Sequence, residues 1–218
     1  MIKVIYEDNH LLVVIKPINV PVQEDDSEDL DFLTMLKKYI KEKYNKPGNV
    51  YLGMVHRLDR PVGGIMVFAK TSKSASRLSE QIRTHQIKKE YYAVTMNKVL
   101  DKGTFIDKLL KDTNKNIVKV DEKGKEAILD YELIDYKNNM SLVKINLKTG
   151  RSHQIRVQFS SRNFPLYGDQ KYNSSSKVGE QIALYATSLA FLHPITKELL
   201  TFTTELPNKY PWNTFNIK

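Results

Sequence analysis

Residues 141–148, SLVKINLK, set Val143, Ile145 and Leu147 in alternation with polar side chains. A period of two is the mark of a half-buried β-strand, because successive side chains leave opposite faces of the pleat. KEYYAVTM (89–96) and AILDYELIDY (127–136) have the aromatic and β-branched content of strands as well, so the second half of the chain reads as mainly antiparallel sheet. Near the start, IKVIY (2–6) and LLVVI (11–15) flank Glu7-Asp8-Asn9 and are closed by Pro17 and Pro21, the pattern of a hairpin. A last hairpin is expected from IALYATSLAFL (182–192) and LLTFTT (199–204), turning at His193-Pro194-Ile195-Thr196.

Helical spacing is confined to three places. Ser27 is the expected start of the first helix, with Glu28, Asp29 and Asp31 at its positive end, Leu33, Leu36 and Ile40 on one face, and Lys37, Lys38, Lys41 and Lys43 toward the other end. Ser72 is expected to cap a second helix whose Ala75, Leu78 and Ile82 are buried. Ser152 is expected to cap a short third one, with Ile155 and Phe159 on its apolar side and His153 and Arg156 on a different face. The chain therefore reads as α+β, a mostly antiparallel mixed sheet core with flanking helices, in one domain over residues 1–218.

Composition narrows the function. There is no cysteine, which excludes disulfides and thiol catalysis and makes the cytoplasm the expected compartment. No apolar run approaches the roughly 20 residues needed to cross a bilayer, and Glu7 and Asp8 stand where a signal peptide would carry its apolar segment. Lys and Arg exceed Asp and Glu by 34 to 25, a formal charge of +9, which favours a polyanionic partner such as nucleic acid.

VHRLDRPVGG (55–64) joins two apolar runs, YLGMV (51–55) and IMVFAK (65–70). Pro61 and the Gly63-Gly64 pair make it a loop of defined shape, and it holds one carboxylate, Asp59, between Arg57 and Arg60. Phosphate-cradling motifs (GxxxxGK(S/T), GxGxxG), the HExxH metal motif and the GxSxG nucleophile elbow are all absent. No cofactor and no metal is expected. What remains is three polar clusters: His56-Arg57-Leu58-Asp59, Lys89-Glu90-Tyr91, and residues 149–156, TGRSHQIR. A carboxylate on a surface that grips polyphosphate repels its own ligand, so a protein that only held RNA would gain by losing Asp59. Neighbouring arginines offset that penalty, and an ionised acid is what nucleophilic or proton-abstracting chemistry requires.

In this order the clusters resemble the RluA family of RNA pseudouridine synthases. YEDNHLLVVIKP (6–17) is similar to that family's opening stretch, HRLD with GIMVFAKT (64–71) to its catalytic motif, KEYYAV (89–94) to its tyrosine motif, TGRSHQIRV (149–157) with GDQKY (168–172) to its third motif, and ATSLAFLHPIT (186–196) to its closing stretch. The resemblance spans nearly the whole chain. It implies a cofactor-free isomerase that detaches uracil from C1′ of a uridine in ribosomal or transfer RNA, rotates it and rejoins it through C5. It implies that Asp59 is the essential carboxylate, as nucleophile at C1′ or base at C2′. Tyr91 then stacks on the flipped base, and Arg156 pairs with Asp59. His56, Arg57, Arg60, Lys89, Arg151 and His153 are the candidate RNA contacts, and a monomer is expected.

The chain departs from the family at Val62-Gly63-Gly64, commonly Thr-Ser-Gly, and at Gln158, commonly histidine, which puts local RNA contacts there in question. Many relatives also carry an amino-terminal S4 RNA-binding domain. Here the catalytic motifs begin almost at Met1, so target selection is expected to rest on the core, its helices and residues 97–125. The alternative is a catalytically silent RNA-binding module of the same fold.

Overall fold

β1 (Lys3–Glu7) and β2 (Leu11–Lys16) form the expected hairpin, with Lys3 opposite Ile15 and Glu7 opposite Leu12. Asp8 builds its turn, Oδ1 accepting from the backbone N–H groups of His10 and Leu11 at 2.7 and 2.6 Å. The structure is a computed structural model that describes residues 2–25, 27–173 and 175–216. It comprises two compact units, Met1–Ile87 with Ser188–Thr204, and Lys88–Thr187 with Glu205–Lys218.

In the first unit the strand order is β1-β2-β4-β10, where β4 is Gly63–Ala69 and β10 is Leu184–Leu192, counted here from Ser188. β3 (Gly53–Met54) pairs with β4 and β11 (Leu199–Thr203) with β10. Every residue of β4 is buried, as a central strand covered on both faces must be. Leu78 of helix α2 (Ser72–Arg83) packs with Leu11, Val13 and Val67 on one face. Phe32 of helix α1 (Phe32–Lys43) meets Phe68 edge-on at 6.1 Å on the other.

Both helices start one or more residues from the expected cap. Thr71, not Ser72, caps α2, accepting from Ser74 N–H. Asp31, not Ser27, caps α1, accepting from Thr34 N–H. The first turn of α1 thus contains no acid, and Asp25 and Asp29 are left outside the helix for another use.

In the second unit the order is β10-β5-β9-β8-β6-β7, with β5 Lys88–Met96, β6 Lys102–Asp112, β7 Ile117–Val120, β8 Lys125–Lys137 and β9 Met140–Leu147. The pairs β5–β9, β8–β9, β6–β8 and β6–β7 are antiparallel, as the alternating patterns require. β6 and β7 lie within residues 97–125, where no element was expected. Helix α3 (Gln154–Ser160) carries Val157 against Leu109, Val118 and Ala127, and Phe159 against Phe105 and Tyr131 at 5.0 and 5.5 Å. Its N-cap is His153 at φ 50°, and Ser152 does not cap it.

Among the described residues no helix is long and apolar enough to cross a membrane, and no His, Asp and Glu group is placed to hold a metal.

Candidate active site

The loop carrying Asp59 is fastened from beneath by a buried cation. Lys16, at the end of β2, is wholly buried, and its ammonium donates to the carbonyls of Pro17, Arg60 and Val62 at 2.8, 3.0 and 2.8 Å. Three acceptors for three protons compensate for taking the charge out of water. Burial pushes Lys16 down to about 7, with the Asp59 carboxylate pulling it back up. The loop closes in a tight turn, Val62 N–H donating to Asp59 O at 2.9 Å. At its other end His56 Nε2 accepts from the backbone N–H of Val67 on β4 at 3.1 Å, so one ring nitrogen of this candidate RNA contact is spent on holding the loop.

With Leu58 buried as the anchor, Asp59 is half-exposed and Arg57 exposed. The acid is therefore neither sealed in the core nor free to swing with a mobile loop. Arg60 has a different environment from the one expected of a phosphate contact. Its guanidinium is held by Asp29 and lies 3.7 Å from Asp25, in the segment that α1 leaves outside its first turn.

In the second unit, Tyr91 stands on β5 opposite Ile145 and is 7% exposed. Arg156 projects from α3 into a two-pronged pair with Asp169, Nε to Oδ2 at 2.8 Å and Nη2 to Oδ1 at 2.7 Å. The two side chains are 7% and 0% exposed, and the guanidinium also lies 5.2 Å from the ring centre of Tyr172. His153 Nδ1 is 2.7 Å from the Tyr172 hydroxyl, which accepts from Val118 N–H. His153 and Arg156 thus share a face as their spacing predicted, and what they share is Tyr172.

Gln154 ties the third motif to β8. Its Oε1 accepts from Thr149 Oγ1 and Arg151 N–H, and its Nε2 donates to Ile128 O. Arg151 is exposed, with Nε donating to Glu126 O. Lys89 precedes Tyr91 by one pleat on β5 and is half-buried. Lys16, Gln154, Asp169 and Tyr172 were not singled out from the sequence. All four lie in motifs already quoted, but none was given a role; for Lys16 a further signal was its place closing the apolar run LLVVIK, where a solvated charge is out of place.

Residues 10–161 match the family described as RNA pseudouridylate synthase. The chain belongs to that family. Ribosomal large subunit pseudouridine synthases C and D of Buchnera aphidicola (subsp. Baizongia pistaciae, strain Bp) are 34% and 33% identical to it over 93% and 94% of this chain, and 66% and 69% of their own length. A synthase D of Zymomonas mobilis is 33% identical over 94% of this chain and 69% of its own. The chain thus spans about two thirds of these relatives. The fold is that of human RNA pseudouridylate synthase domain containing 4, at a TM-score of 0.80 and 22% identity, over 94% of this chain and 88% of that one.

Within the pseudouridylate synthase family, the departures of this chain lie below the surface. Val62, Gly63 and Gly64 are buried, and Gly64 adopts φ +125° opposite Lys16. Gln158 is fully buried and donates to Asp107 Oδ2 and Ala127 O at 2.7 and 3.1 Å. Val62 packs in the core, and Gln158 anchors α3 to β6 and β8.

Proposed function

We propose that this protein isomerises a uridine to pseudouridine in RNA, ribosomal RNA being the substrate class that the names of its relatives point to, with no cofactor. The C1′–N1 bond breaks with its electron pair on the uracil, the ring turns, C5 joins C1′, and the C5 proton leaves to solvent while N1 takes up a proton. Asp59 is the essential carboxylate. Tyr91 stacks on the extruded base and assists removal of the C5 proton, and Arg156 pairs with Asp59. Arg57, Arg60, His56, Lys89, Arg151 and His153 contact the RNA. A loop or single-stranded uridine suits this best, because extrusion costs least there. The protein acts as a monomer.

The observation that supports the reading is the seat of Asp59. A half-exposed acid flanked by an exposed arginine is held in place by a wholly buried lysine that donates to the carbonyls of Arg60 and Val62. Such an arrangement lowers the affinity of a plain RNA-binding surface but presents a carboxylate at a fixed position, as chemistry demands.

The test is tritium release from RNA labelled at C5 of uridine, with no added metal or nucleotide. Wild-type protein should release tritium, Asp59→Asn should not, and its RNA affinity and melting temperature should stay close to wild type. Tyr91→Phe should slow turnover by about 10²-fold, the size of a lost proton-transfer assist. Wild-type protein that binds RNA but releases no tritium from the total RNA of its own cell would establish the silent-module reading instead.

A further inference from the structure

Lys88 and Lys89 are neighbours on β5 with opposite fates. Lys88 is exposed, as a lysine that grips phosphate from solvent should be. Lys89 shares the face of Tyr91, about 6.7 Å further back along the strand. It is half-buried, and among the described residues no carboxylate, carbonyl or hydroxyl takes a hydrogen bond or ion pair from it. Its ammonium rests against Gly150, the glycine of the third motif, where a Cβ would come within 3.2 Å of Nζ. Burial lowers its pKa below the ordinary lysine value with no opposing charge.

A desolvated ammonium with no partner is costly unless a ligand supplies one. Carboxylates are available nearby in sequence, yet Glu90 on the opposite face is bound to Lys144 at 3.1 Å. A partner that reaches Lys89 from outside comes on the face that carries Tyr91.

Resting on the isomerase reading above, we propose that Lys89 donates a hydrogen bond to a carbonyl oxygen of the uracil stacked on Tyr91, and stabilises the negative charge that builds there as the base departs. In that step the C1′–N1 bond breaks and its electron pair spreads into the ring toward O2 and O4. Lys89 keeps its proton throughout; the proton lost from C5 is matched by one taken up at N1 from solvent. Lys89 is thus assigned to the reacting base and not to the RNA backbone. Gly150 leaves the space in which its ammonium sits.

The experiment compares wild type, Lys89→Met and Lys89→Arg by single-turnover tritium release at saturating RNA, and by RNA binding at several salt concentrations. Lys89→Met should lose about 10²- to 10³-fold in rate, the scale of one removed donor to a developing oxyanion, with affinity within about threefold and an unchanged salt slope. In wild type the rate should fall as pH rises and Lys89 loses its proton. In Lys89→Arg, which stays charged, a partial rate should persist without that alkaline fall, a result that a merely structural role for Lys89 would not give. A Lys89→Met protein whose rate at saturation is unchanged, or whose salt slope drops by about one, overturns the proposal and makes Lys89 a phosphate contact. An inactive wild type overturns the isomerase reading as well, so the two failures are distinct.

Discussion

Asp169 grips Arg156 through both guanidinium prongs, at 2.7 and 2.8 Å, and has no exposed surface of its own. Its Oδ1 also accepts from the backbone N–H groups of Lys171 and Tyr172, so one carboxylate sets the guanidinium, the turn after it and the Tyr172 ring at once. Arg156 is consequently an oriented group before any RNA arrives.

Asp169→Asn keeps the shape and removes the charge. The expected result is a rate at saturating RNA lowered at least tenfold, with RNA affinity changed much less, because the guanidinium loses its direction and not its presence. Asp169→Ala, which leaves a buried guanidinium uncompensated, should cost about 3–5 kcal/mol in urea unfolding. Equal activity in the Asn variant would show that Arg156 needs no such orientation.

Replacing Lys16 tests the seat of Asp59. Lys16→Met fills similar volume but leaves the carbonyls of Pro17, Arg60 and Val62 without their donor. Orphaned buried acceptors cost about 1–3 kcal/mol each, partly offset by no longer burying a charge, so a net loss of about 2–4 kcal/mol is expected from denaturant melts. Tritium release should fall further than the unfolded fraction accounts for. A stable variant with full activity would mean the loop holds its shape unaided.

A pH effect follows from Glu7. Burial alone would raise its pKa, but donors from Lys43, Lys70, Tyr44 and Tyr39 bring it down to about 2. A carboxylate depressed in the folded state binds fewer protons there than when unfolded, so its contribution is complete above about 4.5 and is lost as pH falls toward 2. Glu7→Gln should melt several degrees below wild type at pH 7, and the gap should close between about pH 4.5 and 2. A gap independent of pH would place the effect in packing.

Much of this was readable in the chain because strand alternation and motif order are local. The β5 and β8 strands follow from residue content and β9 from alternation; Leu78 of α2 and Ile155 and Phe159 of α3 are buried as their spacing predicted, but Ala75 and Ile82 are only partly buried, with Ser74 and Gln81 buried beside Leu78. What escaped was long-range pairing. Nothing near Lys16 says that it will meet carbonyls 44 and 46 residues away, and nothing near Arg156 says that Asp169 will be its partner. Nothing near Gln158 says that α3 is buried from Gln154 to Phe159 or that Asp107 accepts its amide. The cap of α1 was misplaced for a related reason. Ser27 with its trailing acids has the right chemistry, but the Phe32, Leu36 and Ile40 stripe that meets the sheet begins later, and packing decides where a helix starts.

The acids displaced from that helix lead to the remaining prediction. Asp25 and Asp29 hold Arg60 one residue from Asp59, so the arginine already faces carboxylates where an RNA phosphate would bind. Exposed ion pairs of this kind are weak and salt-screened, and a phosphate can take their place at little cost. Their negative charge nevertheless opposes every RNA that approaches. Asp25→Asn with Asp29→Asn should therefore tighten RNA binding by about 3- to 10-fold at low salt, with the gain shrinking as salt rises. Arg60→Gln should abolish most of that gain when combined with the pair. Filter binding across a salt series measures both. Affinity that is unchanged in the double variant would show that Arg60 never exchanges its carboxylates for phosphate, and would remove it from the RNA contacts.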